Sequence, residues 1–171
     1  MEKKELELYI HIPFCVRKCN YCDFLSFPAD EDTQRQYVKA LCKEIFYYGA
    51  HCRDYVVSTV YIGGGTPSWL WESDMAEIMD AVHKNFALLP DAEVSVECNP
   101  GTVTAQKFAV YRQSGINRIS LGLQSAQNVE LKMLGRIHTW EQFLKTYELA
   151  RAGGFSCLLY TSPSPRDTER S

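Results

Sequence analysis

A chain of 171 residues has the length of one ordinary domain, and with 46% apolar and 23% charged residues it can bury a core and is not a disordered polymer. Its net charge of −3 and pI near 5.8 exclude the clustered basic face of a nucleic-acid binder. No apolar run reaches the roughly 18–20 residues that cross a bilayer, and MEKKELELYI shows no signal-peptide core, so the sequence reads as soluble and cytoplasmic, with no transmembrane segment.

The first predicted strand is LELYIHI (6–12). Leu6, Leu8, Ile10 and Ile12 alternate with Glu7, Tyr9 and His11. A cysteine-rich loop follows. From Thr33 the recurrence of Tyr37, Val38, Leu41, Cys42, Ile45 and Phe46 predicts a helix. VSTVYI (57–62) predicts a second strand that breaks at GGGTPS, Gly63 to Ser68. The next helix is predicted from Ser73 as N-cap, with Met75, Ile78, Met79, Val82 and Phe86 on one face. AEVSVE (92–97) is the third strand, closed by the turn Cys98-Asn99-Pro100-Gly101. A short helix from Thr104 buries Phe108 and Tyr111 and stops at Gly115. NRISLGL (117–123) is the fourth strand. Its helix starts at a Thr139/Gln142 capping box and fades at Gly153-Gly154.

Four β-α repeats imply an α/β fold with a parallel sheet and right-handed crossovers, either open or closed into a barrel. Residues 1–156 form this predicted core. Residues 157–171, CLLYTSPSPRDTERS, read as different material, rich in Ser, Thr, Pro and Arg. A frayed tail would look like this. A β/α protein that has just completed a helix should instead begin another strand, so the expectation is a truncated reading frame or foreign sequence joined near Ser156. Such a fragment should expose an unpaired edge on strand four and aggregate.

The chain has seven cysteines, of which Cys15, Cys19 and Cys22 crowd one loop while Cys42, Cys52, Cys98 and Cys157 are scattered. An odd count in a reducing compartment argues against a disulfide framework, and the scattered four read as small buried residues. Closely spaced thiols point to a soft metal or an iron–sulfur cluster. Structural zinc needs four ligands and would have to recruit Asp23, His11 or a distant cysteine. A redox pair of Cys19 and Cys22 leaves the third cysteine without a task. Three thiolates suit a cubane [4Fe–4S] cluster better, with one iron left open for another ligand.

The spacing C-x3-C-x2-C after the first strand of a β/α protein resembles the radical S-adenosylmethionine (radical SAM) superfamily. YIHIPFCVRKCNYCDF, GGGTPS, ECNP and RISLGLQS together resemble its coproporphyrinogen-oxidase-like branch, which holds the oxygen-independent coproporphyrinogen III dehydrogenases and the HemW heme chaperones. The likeness runs from about Leu6 to Ser156. It implies a partial (β/α) barrel of the radical SAM type, truncated, with four of six β-α units present. It also implies that Cys15, Cys19 and Cys22 bind three irons of a [4Fe–4S] cluster and that the fourth iron chelates S-adenosylmethionine (SAM). By the same resemblance Gly64, Gly65 and Thr66 hold the amino-acid end of SAM, Glu97 grips one of its polar groups, and Tyr9 and Tyr21 belong to the cofactor side. Gln124 and Arg136 match residues that help bind a second SAM.

Two activities follow from the resemblance. A dehydrogenase would decarboxylate two propionates of coproporphyrinogen III, using an electron donor such as flavodoxin. A heme chaperone would bind heme and hand it to an acceptor hemoprotein. Dehydrogenases of this branch carry a fourth cysteine two residues after the third, where this chain has Asp23-Phe24, and NYCDF resembles the chaperones. The resemblance therefore favours a chaperone. Independently of it, strand alternation puts Tyr9 and His11, Ser95 and Glu97, and Ser120 and Gln124 on one face. That is a polar lumen facing a ligand, with its polar residues gathered toward strand C-termini.

Overall fold

The computed structural model describes residues 4–161. Five parallel strands, β1 (Lys4–Ile12), β2 (Tyr55–Gly64), β3 (Leu88–Cys98), β4 (Arg118–Gly122) and β5 (Ser156–Tyr160), form one sheet in chain order. The crossovers are α1 (Glu31–His51), α2 (Glu72–Asn85), α3 (Ala105–Gln113) and α5 (Trp140–Ala152), with a short extra helix, α4 (Asn128–Met133), between β4 and α5. This is the α/β arrangement expected, an unclosed parallel sheet with the β-α order of part of a (β/α) barrel.

Alternation decides which face is covered. Ile10, Ile12, Val60, Ile62, Val94, Val96, Ile119 and Leu121 are buried against the helices. There they meet Val38 and Ile45 of α1, Met75, Ile78, Met79 and Val82 of α2, Phe108 and Tyr111 of α3, and Phe143 of α5. Each such side chain contributes on the order of 1.5–3 kcal/mol on burial. The opposite face carries Tyr9, Ser95, Glu97 and Ser120, as the pattern predicted, with Tyr61 of β2 among them. In register Tyr9 lies beside Tyr61, Tyr61 beside Ser95, and Glu97 beside Ser120.

Two local expectations change. Helix α1 starts two residues before Thr33, because the Asp30 carboxylate accepts from Thr33 N at 2.8 Å and caps it. Helix α2 is entered from Trp71 without a side-chain cap, so Ser73 lies inside the first turn. The Thr104 cap and the Thr139/Gln142 capping box form as predicted.

The larger correction concerns the sheet edge. Residues 156–160 do form a strand, paired in parallel with β4 from Arg118↔Ser156 to Gly122↔Tyr160. The expected free edge on strand four is therefore covered. The outer edge is β5, whose Leu158, Leu159 and Tyr160 are exposed. Cys157 and Leu158 alternate sides of an extended chain whatever follows, and the proline- and serine-rich composition that masked this strand begins only after Tyr160. Residues 162–171, the rest of the predicted tail, lie outside the described residues.

Candidate functional site

Where β1 ends, the chain makes a closed loop. Phe14 is buried edge-on to Phe27 and Tyr37, with ring centroids 5.6 and 5.2 Å away. Cys15 N donates to Phe27 O (3.1 Å) and Phe27 N to Pro13 O (2.9 Å), so the loop is tied at its neck. Within it Cys22 N donates to Cys19 O (3.2 Å). This small turn puts Cys19 and Cys22 on a common bend.

Two distant segments clamp this loop. On one side lies the glycine turn that ends β2. Gly65 N donates to Ile12 O (2.8 Å), Thr66 N donates to Phe14 O (2.7 Å), and Thr66 Oγ1 lies 3.3 Å from Cys15 Sγ. A Cβ on Gly65 would stand 2.7 Å from Phe14 O and 3.1 Å from Cys15 Sγ. The turn is glycine because its backbone lies directly against the cysteine loop.

The other clamp follows α4. Asn20 donates from its backbone to Leu134 O (3.1 Å) and from its side chain to Met133 O (3.0 Å), and Arg17 Nη2 donates to Gly135 O (2.9 Å). Arg136 completes it. One terminal nitrogen donates to Cys19 Sγ (3.6 Å) and Tyr21 OH (3.4 Å), the other to Gly122 O (3.1 Å) and Asn99 Oδ1.

Asn99 is held in turn by the two turns around it. Asn99 N donates to Ser68 Oγ, Thr102 Oγ1 donates to Asn99 O, and the Ser68 and Thr102 hydroxyls are 2.6 Å apart. Lys107, from α3, donates to Ser68 O, Leu70 O and Thr102 O at 2.9–3.2 Å, so one ammonium ties the turns after β2 and β3 together. Burial lowers the pKa of Lys107.

On the sheet's polar face Tyr61 OH donates to Glu97 Oε1 (2.7 Å) and Gly64 N donates to Oε2 (3.1 Å). Both carboxylate oxygens are thereby aimed, and burial and the bond to Glu97 raise the Tyr61 hydroxyl pKa. Tyr61 was missed from the sequence. The available signal was its place on β2 beside Tyr9, on the same face.

These elements enclose a cavity of about 350 Å³ at the strand C-termini. Cys15, Cys19, Cys22, Tyr21, Gly64, Gly65, Thr66, Glu97, Gln124 and Arg136 all line it. Gln124 holds a positive φ of 65°, a conformation rare for a non-glycine residue, where β4 gives way to the loop. Tyr9 does not reach this cavity. Its ring stacks on Tyr61 (6.2 Å between centroids) and the residue stands 61% exposed. His11 packs the loop, with Nε2 3.1 Å from Leu25 O and its ring against Gly64.

Among the described residues no three His, Cys, Asp or Glu side chains are gathered tightly enough for one metal ion. A cubane spreads its thiolates over separate iron corners, so three free thiols around one cavity fit it. Two further features suit an added group: the buried Nε of Arg136 has no partner, and the glycine turn brings bare backbone to the cavity wall.

Two residues beyond Arg136, His138 is 3% exposed. Burial and then the Arg136 charge push its pKa down to about 4. The unfolded chain takes up this proton near pH 6.5 and the folded chain only near 4, so the fold keeps its full stability above about 6.5 and loses it as pH falls toward 4. The expected loss is roughly 3 kcal/mol for a shift of this size. Urea melts of wild type and His138→Gln across pH 4–7 check this. Equal pH slopes in the two proteins would overturn it.

The profile of the Radical SAM superfamily matches residues 9–168. The chain is 43% identical over 150 residues to the heme chaperone HemW of Escherichia coli (strain K12), covering 87% of this chain and 40% of that protein. To HemW of Mycobacterium tuberculosis (strain CDC 1551 / Oshkosh) it is 37% identical over 169 residues, covering 95% of this chain and 43% of that one. Among solved structures, the coproporphyrinogen III oxidase HemN of Escherichia coli, a radical SAM enzyme, superposes with a TM-score of 0.85 at 29% identity over 92% of this chain and 37% of HemN. The chain thus spans about two fifths of the length of these relatives. No helix among the described residues is long and apolar enough to cross a membrane.

Proposed function

Because the chain belongs to the radical SAM superfamily, which implies a [4Fe–4S] cluster and SAM, we propose that it is the cluster- and SAM-binding part of a HemW-type heme chaperone, a protein that binds heme and delivers it to hemoproteins. In this reading Cys15, Cys19 and Cys22 hold three irons. The backbone at Gly64, Gly65 and Thr66, the carboxylate of Glu97, and the side chains of Gln124 and Arg136 receive SAM. Tyr21, hydrogen-bonded to Arg136, closes the cysteine side of the cavity. The cluster, when bound, supplies one electron to the SAM sulfonium, and the chain orients the cofactor and keeps water from it. Tyr9, whose ring stacks on the cavity-lining Tyr61, adds a further contact on the cofactor side.

The observation that carries the chaperone over the dehydrogenase is Phe24. It lines the cavity where the dehydrogenases of this branch carry a fourth cysteine, and it is 59% exposed. The identity to HemW chaperones supports the same choice. A dehydrogenase is the second reading, favoured by the superposition on HemN. Heme, the acceptor hemoprotein and an electron donor such as flavodoxin belong to the proposal.

The test takes the full-length protein, reconstituted without oxygen and given SAM, reductant and coproporphyrinogen III. No protoporphyrinogen IX should form, while added heme should bind with a shifted Soret band and pass to an apo-hemoprotein. Turnover of coproporphyrinogen would make the protein a dehydrogenase and show that Phe24 is tolerated in place of the cysteine.

A further inference from the structure

We infer that Arg136 tunes the redox poise of the cluster through an N–H···S hydrogen bond to Cys19, and that the turn at Asn99 sets this bond. The inference rests on the proposal that Cys19 is a cluster ligand. It deepens that proposal by giving Arg136 a task separate from holding SAM.

The guanidinium does not hang free above the loop. Asn99 Oδ1 and Gly122 O hold one terminal nitrogen from the ends of β3 and β4. That anchoring turns the other nitrogen onto Cys19 Sγ and Tyr21 OH. The planar fork allows both sets of contacts at once, which a lysine ammonium cannot reproduce. Arg136 comes from a point 117 residues along the chain from Cys19. The backbone just before it is itself bound to Arg17 and Asn20 of the cysteine loop. The pairing is therefore built by two hydrogen-bonded layers and is not a chance surface contact.

Its consequence follows from charge. Reduction adds one electron to the cluster from an external one-electron reductant, and no bond breaks. A fixed cation with its N–H directed at a ligand sulfur stabilises the more negative, reduced state and so raises the potential. The turn at Asn99 is locked by Ser68, Thr102 and Lys107, which places these residues in the same device one step further out.

The experiment is an EPR-monitored redox titration of the reconstituted full-length protein without SAM. Wild type is first assayed for iron, sulfide and the signal of a reduced four-iron cluster, and absence of that cluster would overturn the proposed function itself. With the cluster present, Arg136→Gln should lower the reduced-to-oxidised ratio at a fixed poise about tenfold, a shift of about 59 mV to more negative potential for one electron. Arg136→Lys should shift it in the same direction by less. Loss of a SAM contact alone leaves the SAM-free potential unmoved, so an Arg136→Gln protein with full iron and wild-type potential overturns the inference. Should that variant load no cluster, Asn99→Ala decides, because it removes the side-chain anchor of the guanidinium and leaves the charge in place. A negative shift there supports the inference, and an unchanged potential overturns it.

Discussion

Replacing Cys19 with alanine should drop the iron bound after anaerobic reconstitution to background, with loss of the charge-transfer absorbance, while the protein still folds. The same holds for Cys15 and Cys22. The fold survives because the loop is shaped by main-chain bonds, Cys15 N to Phe27 O and Cys22 N to Cys19 O, and by the clamps' bonds to main-chain oxygens, so only the Thr66 and Arg136 contacts to sulfur are lost. The melting temperature should move by no more than roughly 1 kcal/mol of stability allows, as for a partly exposed side chain without a special packing role. The cluster cannot survive, because the cavity offers no replacement thiolate. Cys98 also lines it, but it is 4% exposed and burial pushes its thiol up to about 12, so it stays protonated. Cys42 is turned to Glu77 O between α1 and α2. Cys98→Ser should therefore keep full iron. Iron and sulfide counts on the three loop variants and on Cys98→Ser check both halves. A Cys19→Ala protein that still binds four irons per chain would overturn the assignment of the loop.

Much of this site was legible in the sequence because its parts are local. The three cysteines lie within eight residues, GGGTPS is a contiguous turn, and Glu97 is fixed at a strand end by alternation. What was not legible depends on tertiary distance. Lys107 sits on the short helix α3 with nothing nearby in sequence to mark it, and its three carbonyl partners come from two other turns. The Met133–Arg136 clamp on Asn20, Arg17 and Cys19 joins segments more than a hundred residues apart. Helix α4 is too short for a periodic signal, and its one buried residue is Leu131. The misjudged edge has a different cause. The Ser, Thr, Pro and Arg that follow Tyr160 dominate the composition of residues 157–171, although five residues suffice to pair with a strand as short as β4.

Removing the Glu97 carboxylate should cost more SAM affinity than removing any other single side chain on the polar face of the sheet. Glu97 presents two oxygens at fixed angles, one held by Tyr61 OH and one by Gly64 N. It can therefore meet an ammonium or hydroxyl of SAM without losing side-chain entropy on binding. Truncating one partner of a part-buried charged pair costs roughly 2–4 kcal/mol, so the SAM dissociation constant of Glu97→Ala should rise on the order of 30- to 1,000-fold. Tyr61→Phe keeps the carboxylate and loses one of its guides. It should raise the constant only about fivefold, the worth of one ordinary hydrogen bond. The two effects must also be coupled. In a Glu97→Ala background the Tyr61 hydroxyl has nothing left to aim, so Tyr61→Phe should add nothing further. Equilibrium dialysis of SAM against the four reconstituted proteins completes the cycle. Additive losses would mean that Tyr61 touches SAM itself, and an unchanged constant in Glu97→Ala would remove the carboxylate from the binding site.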